Sequence, residues 1–161
     1  MRNSPAGRIG VAAAMAGLAL LVPASLAAHD IPPSVAILAY VKPEGHTLRL
    51  VVRLPLEAFR DINWPLRGPG YLQLEKLKPL LDEGVTTWIS NFVHLYEGQG
   101  ELSRPVIAAT QVSLPSDRSF TTFDGAFAHA TGAPLPPATD LAWQQAMLDV
   151  VLEYPIASDT S

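Results

Sequence analysis

The octapeptide Thr47-Leu48-Arg49-Leu50-Val51-Val52-Arg53-Leu54 puts Leu48, Leu50 and Val52 on one side of an extended chain and Thr47, Arg49, Val51 and Arg53 on the other. A period of two is the signature of a β-strand with one apolar face. Just upstream, Ser34 to Lys42 is rich in strand formers and Pro43-Glu44-Gly45-His46 reads as a turn, so a β-hairpin with one face toward water is expected. Downstream, Pro55 ends the strand, Leu56 to Ile62 reads as one or two helical turns, and Trp64 to Gly70 reads as loop. The strongest helical pattern follows, with Leu77, Leu80, Leu81, Val85, Trp88 and Ile89 at helical spacing, weakened modestly by Gly84.

Phe92 to Glu97 and Pro105 to Leu114 flank the turn Gly98-Gln99-Gly100, which predicts a second hairpin. Ser116 or Asp117 is placed to cap a helix carrying Phe120, Phe123 and Phe127 and ending near Gly132. Residues 132–137, Gly-Ala-Pro-Leu-Pro-Pro, form a stiff connector, and Met147 to Tyr154 is a last, strand-like run that stops against Pro155. The fold class expected is α+β: a β-rich, sandwich-like domain of two hairpins plus a terminal strand, with two helical segments. An apolar strand so close to the end of a chain still needs a neighbour, which leads to the expectation of a C-terminally truncated domain.

Composition narrows the function classes. Of 161 residues, 16% are charged, below the roughly 25% of ordinary soluble domains, and 48% are hydrophobic, which argues against a disordered chain. With a net charge of −4 and no cluster of Lys or Arg, the chain lacks the basic stripe that nucleic-acid phosphates require. Zero cysteines exclude disulfides, thiolate metal sites and a Cys nucleophile.

The first residues carry Arg2 and Arg8 without an acid, then run into the uncharged stretch Ile9 to Val22, Pro23 and the small residues Ala24-Ser25-Leu26-Ala27-Ala28. That stretch is shorter than the roughly 20 residues of a membrane span and suits a signal peptide. Cleavage after Ala27 and after Ala28 are both open. The expected organisation is a signal peptide at 1–28 and an exported, periplasmic-type domain at 29–161 of net charge −6, with no later membrane span.

Ala28-His29-Asp30-Ile31-Pro32-Pro33-Ser34-Val35, Ala39 to Gly45 and Leu48 to Leu56 resemble the start of the extracytoplasmic region of HupE/UreJ-type membrane proteins. Arg67 to Leu72, Leu95 to Gly98, Val112 to Phe120 and Leu148 to Ile156 resemble later segments of that region, in the same order. The resemblance covers nearly all of the mature chain. It implies a signal peptide, an extracytoplasmic domain and then membrane helices, with a link to nickel or cobalt uptake through hydrogenase and urease accessory members. Transport belongs to the membrane part and its His-x5-Asp-His motif, which this sequence lacks. What the resemblance implies for these residues is a non-catalytic accessory or interaction domain. Its partner would be the transmembrane portion of the same protein or of a companion.

Four histidines, His29, His46, His94 and His129, are the candidate metal ligands, and none sits in a short zinc motif. His46 reads as a turn residue, His94 as a sheet-face residue and His129 as a helix-end residue favoured by the helix dipole. His29 stands apart. After cleavage at Ala28 its amino group and imidazole would chelate a metal, with Asp30 adding a carboxylate, a set suited to nickel or copper. A free periplasmic metal-binding protein using His29 and Asp30 is therefore the alternative function.

No catalytic or cofactor-binding residues are expected. Asp82 and Glu83 diverge on a helix, Ser116 to Ser119 lacks a nucleophile elbow, and Gly68-Pro69-Gly70 lacks the context of a nucleotide loop. Among the tryptophans, Trp88 is expected in the core, whereas Trp64 is expected at an exposed contact.

Overall fold

The computed structural model describes residues 35–59 and 61–159. Strand β1 (Leu38–Glu44) and strand β2 (Thr47–Pro55) form the expected hairpin, closed by Gly45 and His46. Gly45 has φ +60°, the left-handed conformation that two-residue hairpin turns need and glycine adopts without strain. Two short hairpins follow, β3 (Leu66–Arg67) with β4 (Tyr71–Leu72) and β5 (Tyr96–Glu97) with β6 (Gly100–Glu101). Helix α1 (Lys78–Val85) lies between these hairpins. After them come β7 (Val106–Ser113), α2 (Phe123–Ala130) and β8 (Met147–Pro155).

The main sheet is antiparallel throughout, in the order β1-β2-β8-β7. The fold is therefore α+β and β-rich with two helices, as expected. The last strand does not lie at an edge: β8 is inserted between β2 and β7 and pairs with both. This placement explains why Leu148 to Leu152 is buried residue after residue, since both faces of a central strand are covered.

The second hairpin forms differently from the expectation. Tyr96–Glu97 turns back at Gly98 onto Gly100–Glu101, and the apolar β7 is taken by β8 instead. A largely apolar central strand gains more from two long neighbours than β7 could gain from the short, half-polar run before Gly98.

Leu50, Val52, Leu54, Leu148, Val150, Leu152 and Tyr154 point to one face of the sheet, where Leu77, Leu81, Val85 and Ile89 cover them. Helix α1 continues through a π-helical turn, Thr86–Ser90, which keeps Ile89 in the core and turns Trp88 outward to 48% exposure. Trp64 instead is buried in this core, so the expectations for these two tryptophans are reversed. Trp64 shares the main core cluster with Leu56, Phe59 and Leu72, so its loop turns the indole inward.

The opposite face of β2, expected to be wet, is roofed by α2 and the turn leading into it. Three phenylalanines lie over three sheet cations: Phe123 over Lys42 at 4.7 Å, Phe127 over Arg49 at 5.0 Å and Phe120 over Arg53 at 4.2 Å. Long cationic side chains cover apolar surface with their stems, and the ring faces attract their charges. The cap of α2 is Thr122, whose hydroxyl accepts from the Gly125 amide at 3.1 Å, rather than Ser116 or Asp117. Phe120 lies ahead of the helix in a separate turn.

Candidate functional site

Two features lie around β7 and β8: a buried charge cluster on the α2 face and a groove along β7 between α1 and the connector that follows α2. The cluster begins with strand register. Arg53 on β2 sits directly opposite Asp149 on β8, and the two form a bidentate pair, Nε to Oδ1 at 2.6 Å and Nη2 to Oδ2 at 2.7 Å. Asp149 is fully buried and Arg53 is 4% exposed.

Asp117, in the loop after β7, completes the guanidinium shell. Arg53 donates to its side chain at 2.9 Å and to its carbonyl at 3.1 Å. Burial works against the charge on Arg53, but the hydrogen bonds and attraction from Asp149 and Asp117 outweigh it and hold the proton more firmly than in a free arginine. Asp117 is likewise penalised by burial, yet bonds from the Ser119 hydroxyl and amide and from Arg53, with the neighbouring His129, bring its carboxyl down to about 2.

His129, in the last turn of α2 as expected, also meets this cluster. Its Nδ1 is 3.5 Å from Asp117 and its Nε2 is 3.3 Å from Asp149, the latter outside hydrogen-bonding direction. The Ser119 hydroxyl donates to Asp117, and no hydroxyl among the described residues bonds the His129 ring. Nothing here pairs a nucleophile with a base. The arrangement instead neutralises a buried arginine and pins α2 to the sheet.

The groove, of about 560 Å3, runs along Ala108–Val112 of β7. Leu74, Leu77 and Leu81 form one wall, and residues 131–137 form the other. That connector leaves α2 on one face of the sheet and brings Leu135 against the core on the opposite face, so it crosses the β7 edge and closes one end of the groove. Gln111 fastens the last turn of α2 by donating to the His129 carbonyl, and Thr110 donates to Asp82 of α1. Among the described residues β7 pairs only with β8, so its outer edge presents unpaired backbone groups to the groove.

Other singled-out residues are dispersed. His46 is exposed, with Nδ1 2.7 Å from the Ala157 carbonyl. His94 is not on a strand; it is exposed and lies 2.5 Å from Glu101. Asp82 faces Lys78 and Thr110 while Glu83 points to solvent, so the two carboxylates diverge. Gly68-Pro69-Gly70 is the β3–β4 turn, with φ +51° and +109° at its glycines. His29 and Asp30, like the signal peptide expected at 1–28, lie outside the described residues. Among the described residues no three His, Asp or Glu side chains converge as a metal site, and no helix is long and apolar enough to cross a membrane.

The Arg53–Asp149 pair is not read from the sequence, although its signal is visible: two basic residues, Arg49 and Arg53, inside β2 and two acidic ones, Asp149 and Glu153, inside the largely apolar β8. The groove is not read from it either, because it depends on strand order. Comparison with known protein families, with characterised proteins and with solved structures finds no match to this chain.

Proposed function

We propose that the chain is a non-catalytic, exported interaction domain serving a HupE/UreJ-like membrane protein, as part of the same polypeptide or as its companion. The observation that carries this reading is the groove floored by the open edge of β7, because a sheet edge with unpaired amides and carbonyls is a ready template for a partner's chain. The sequence resemblance supplies the membrane context, and the signal-like N-terminus supplies the compartment. In this reading the charge cluster is scaffolding that fixes α2 and the connector beside the groove.

The test is photo-crosslinking in the native host, with a benzophenone residue at exposed Ala108 in the groove and, as a control, at exposed Glu57. An adduct formed from position 108 alone, identified by mass spectrometry as a polytopic membrane protein, is the expected result. The reading fails if neither position forms an envelope adduct, or if the domain turns over ester or peptide substrates and loses that turnover on Ser119→Ala or His129→Ala.

A further inference from the structure

The interaction reading leaves the occupant of the groove unnamed, and its chemistry narrows the choice. Five consecutive residues of β7, Ala108–Val112, border the groove, which corresponds to roughly 17 Å of strand. α1 stands beside that edge and the 131–137 connector crosses it, so the approach is walled. Ala108 is exposed at that edge, and no backbone group of Val106–Ser113 pairs on the side away from β8 among the described residues. The side-chain surface offered is mainly aliphatic and proline-rich, from Leu74, Leu77, Leu135 and Pro136.

Its charges are unbalanced. Lys78 is neutralised by Asp82, with both carboxylate oxygens 2.6 Å from Nζ, while Glu75 has no ionic or hydrogen-bonding partner among the described residues. The groove therefore presents one uncompensated negative charge, on a mature chain already at −6.

Resting on the interaction reading, we infer that the groove binds an extended segment of another polypeptide, added to β7 as a further strand. Small apolar residues of that segment pack on the leucine wall, and a lysine or arginine meets Glu75. Backbone pairing supplies affinity and the alternate side chains supply selectivity, as in other strand-addition complexes. The basic residue adds charge complementarity at the rim.

The probes are fluorescent heptapeptides of alternating valine and threonine, with one lysine placed at each position in turn. They are compared with twins carrying glutamate instead, and with twins N-methylated at alternate amides. Anisotropy is measured against residues 29–161 and against its Glu75→Lys variant, and amide exchange of β7 is followed by NMR. At least one lysine peptide is expected to bind, about tenfold more tightly than its glutamate twin, with the preference reversed by Glu75→Lys, binding lost on N-methylation, and the outward-facing, alternate amides within Ala108–Val112 newly protected.

No binding below about 1 mM by any lysine peptide overturns the inference. So does N-methylated binding of equal strength, or a charge preference that Glu75→Lys leaves unchanged. These failures are separable from failure of the interaction reading. A groove adduct at position 108 without strand-type peptide binding removes only the strand-addition inference, and absence of both removes the interaction reading as well.

Discussion

Replacing Arg53 with methionine removes the guanidinium and strands Asp149 at zero exposure, its two bonds of 2.6 and 2.7 Å lost and only an off-angle His129 at 3.3 Å left beside it. Breaking a buried pair in this way costs about 3–5 kcal/mol, because the surviving charge stays desolvated. The complementary change, Asp149→Leu, is milder. Arg53 then keeps Asp117 as partner and Phe120 as a ring face, so about 2–3 kcal/mol is expected. Changing both residues to Met and Leu removes the stranded charge and should recover most of the loss. Urea unfolding followed by tryptophan fluorescence measures all three. With a slope of about 1–3 kcal/mol per molar, Arg53→Met should lower the midpoint by about 1–5 M. Two results refute the reasoning: a cost for Arg53→Met below about 1 kcal/mol, or a double variant as destabilised as the sum of the singles.

Three further outcomes are expected. Asp117 has its carboxyl lowered from 3.8 to about 2 in the folded chain, so its contribution is complete above about pH 4 and disappears as the pH falls toward 2. Acid titration of stability should show that slope, on the order of 1–2 kcal/mol, and Asp117→Asn should abolish it. Gly125→Ala should destabilise α2 despite alanine's better helix propensity, since its Cβ would fall 2.7 Å from the Ser119 carbonyl oxygen. A thermal melt should show a loss of about 1–2 kcal/mol. Tyr154→Phe should be neutral or stabilise by up to about 1 kcal/mol in the same assay, because the Tyr154 hydroxyl is buried without a partner among the described residues.

Much of the fold is legible in local pattern, and the site is not, for a physical reason. The alternation of Thr47 to Leu54 specifies β2, and the helical stripe Leu77, Leu81, Val85 and Ile89 specifies the α1 side of the core. The arginines of β2 mislead, because charge at alternate positions reads as solvent exposure when the compensating Asp149 lies 96 residues away. Trp64 and Trp88 exchange roles because burial of a loop indole depends on what else covers the sheet, and because a π-helical turn shifts the stripe. The open edge of β7 has no local signature at all. Inserting β8 beside β2 makes β7 an edge strand, and that is a property of topology rather than of any segment.

The most direct test of the open edge is amide hydrogen exchange on the unliganded domain, residue by residue along β7 and β8. Amides of Met147–Tyr154 should be protected throughout, while alternate amides between Val106 and Ser113 exchange orders of magnitude faster because they face away from β8 unpaired. Uniform protection along β7, equal to that of β8, would mean that the edge is already covered and would contradict the proposal that it receives a partner.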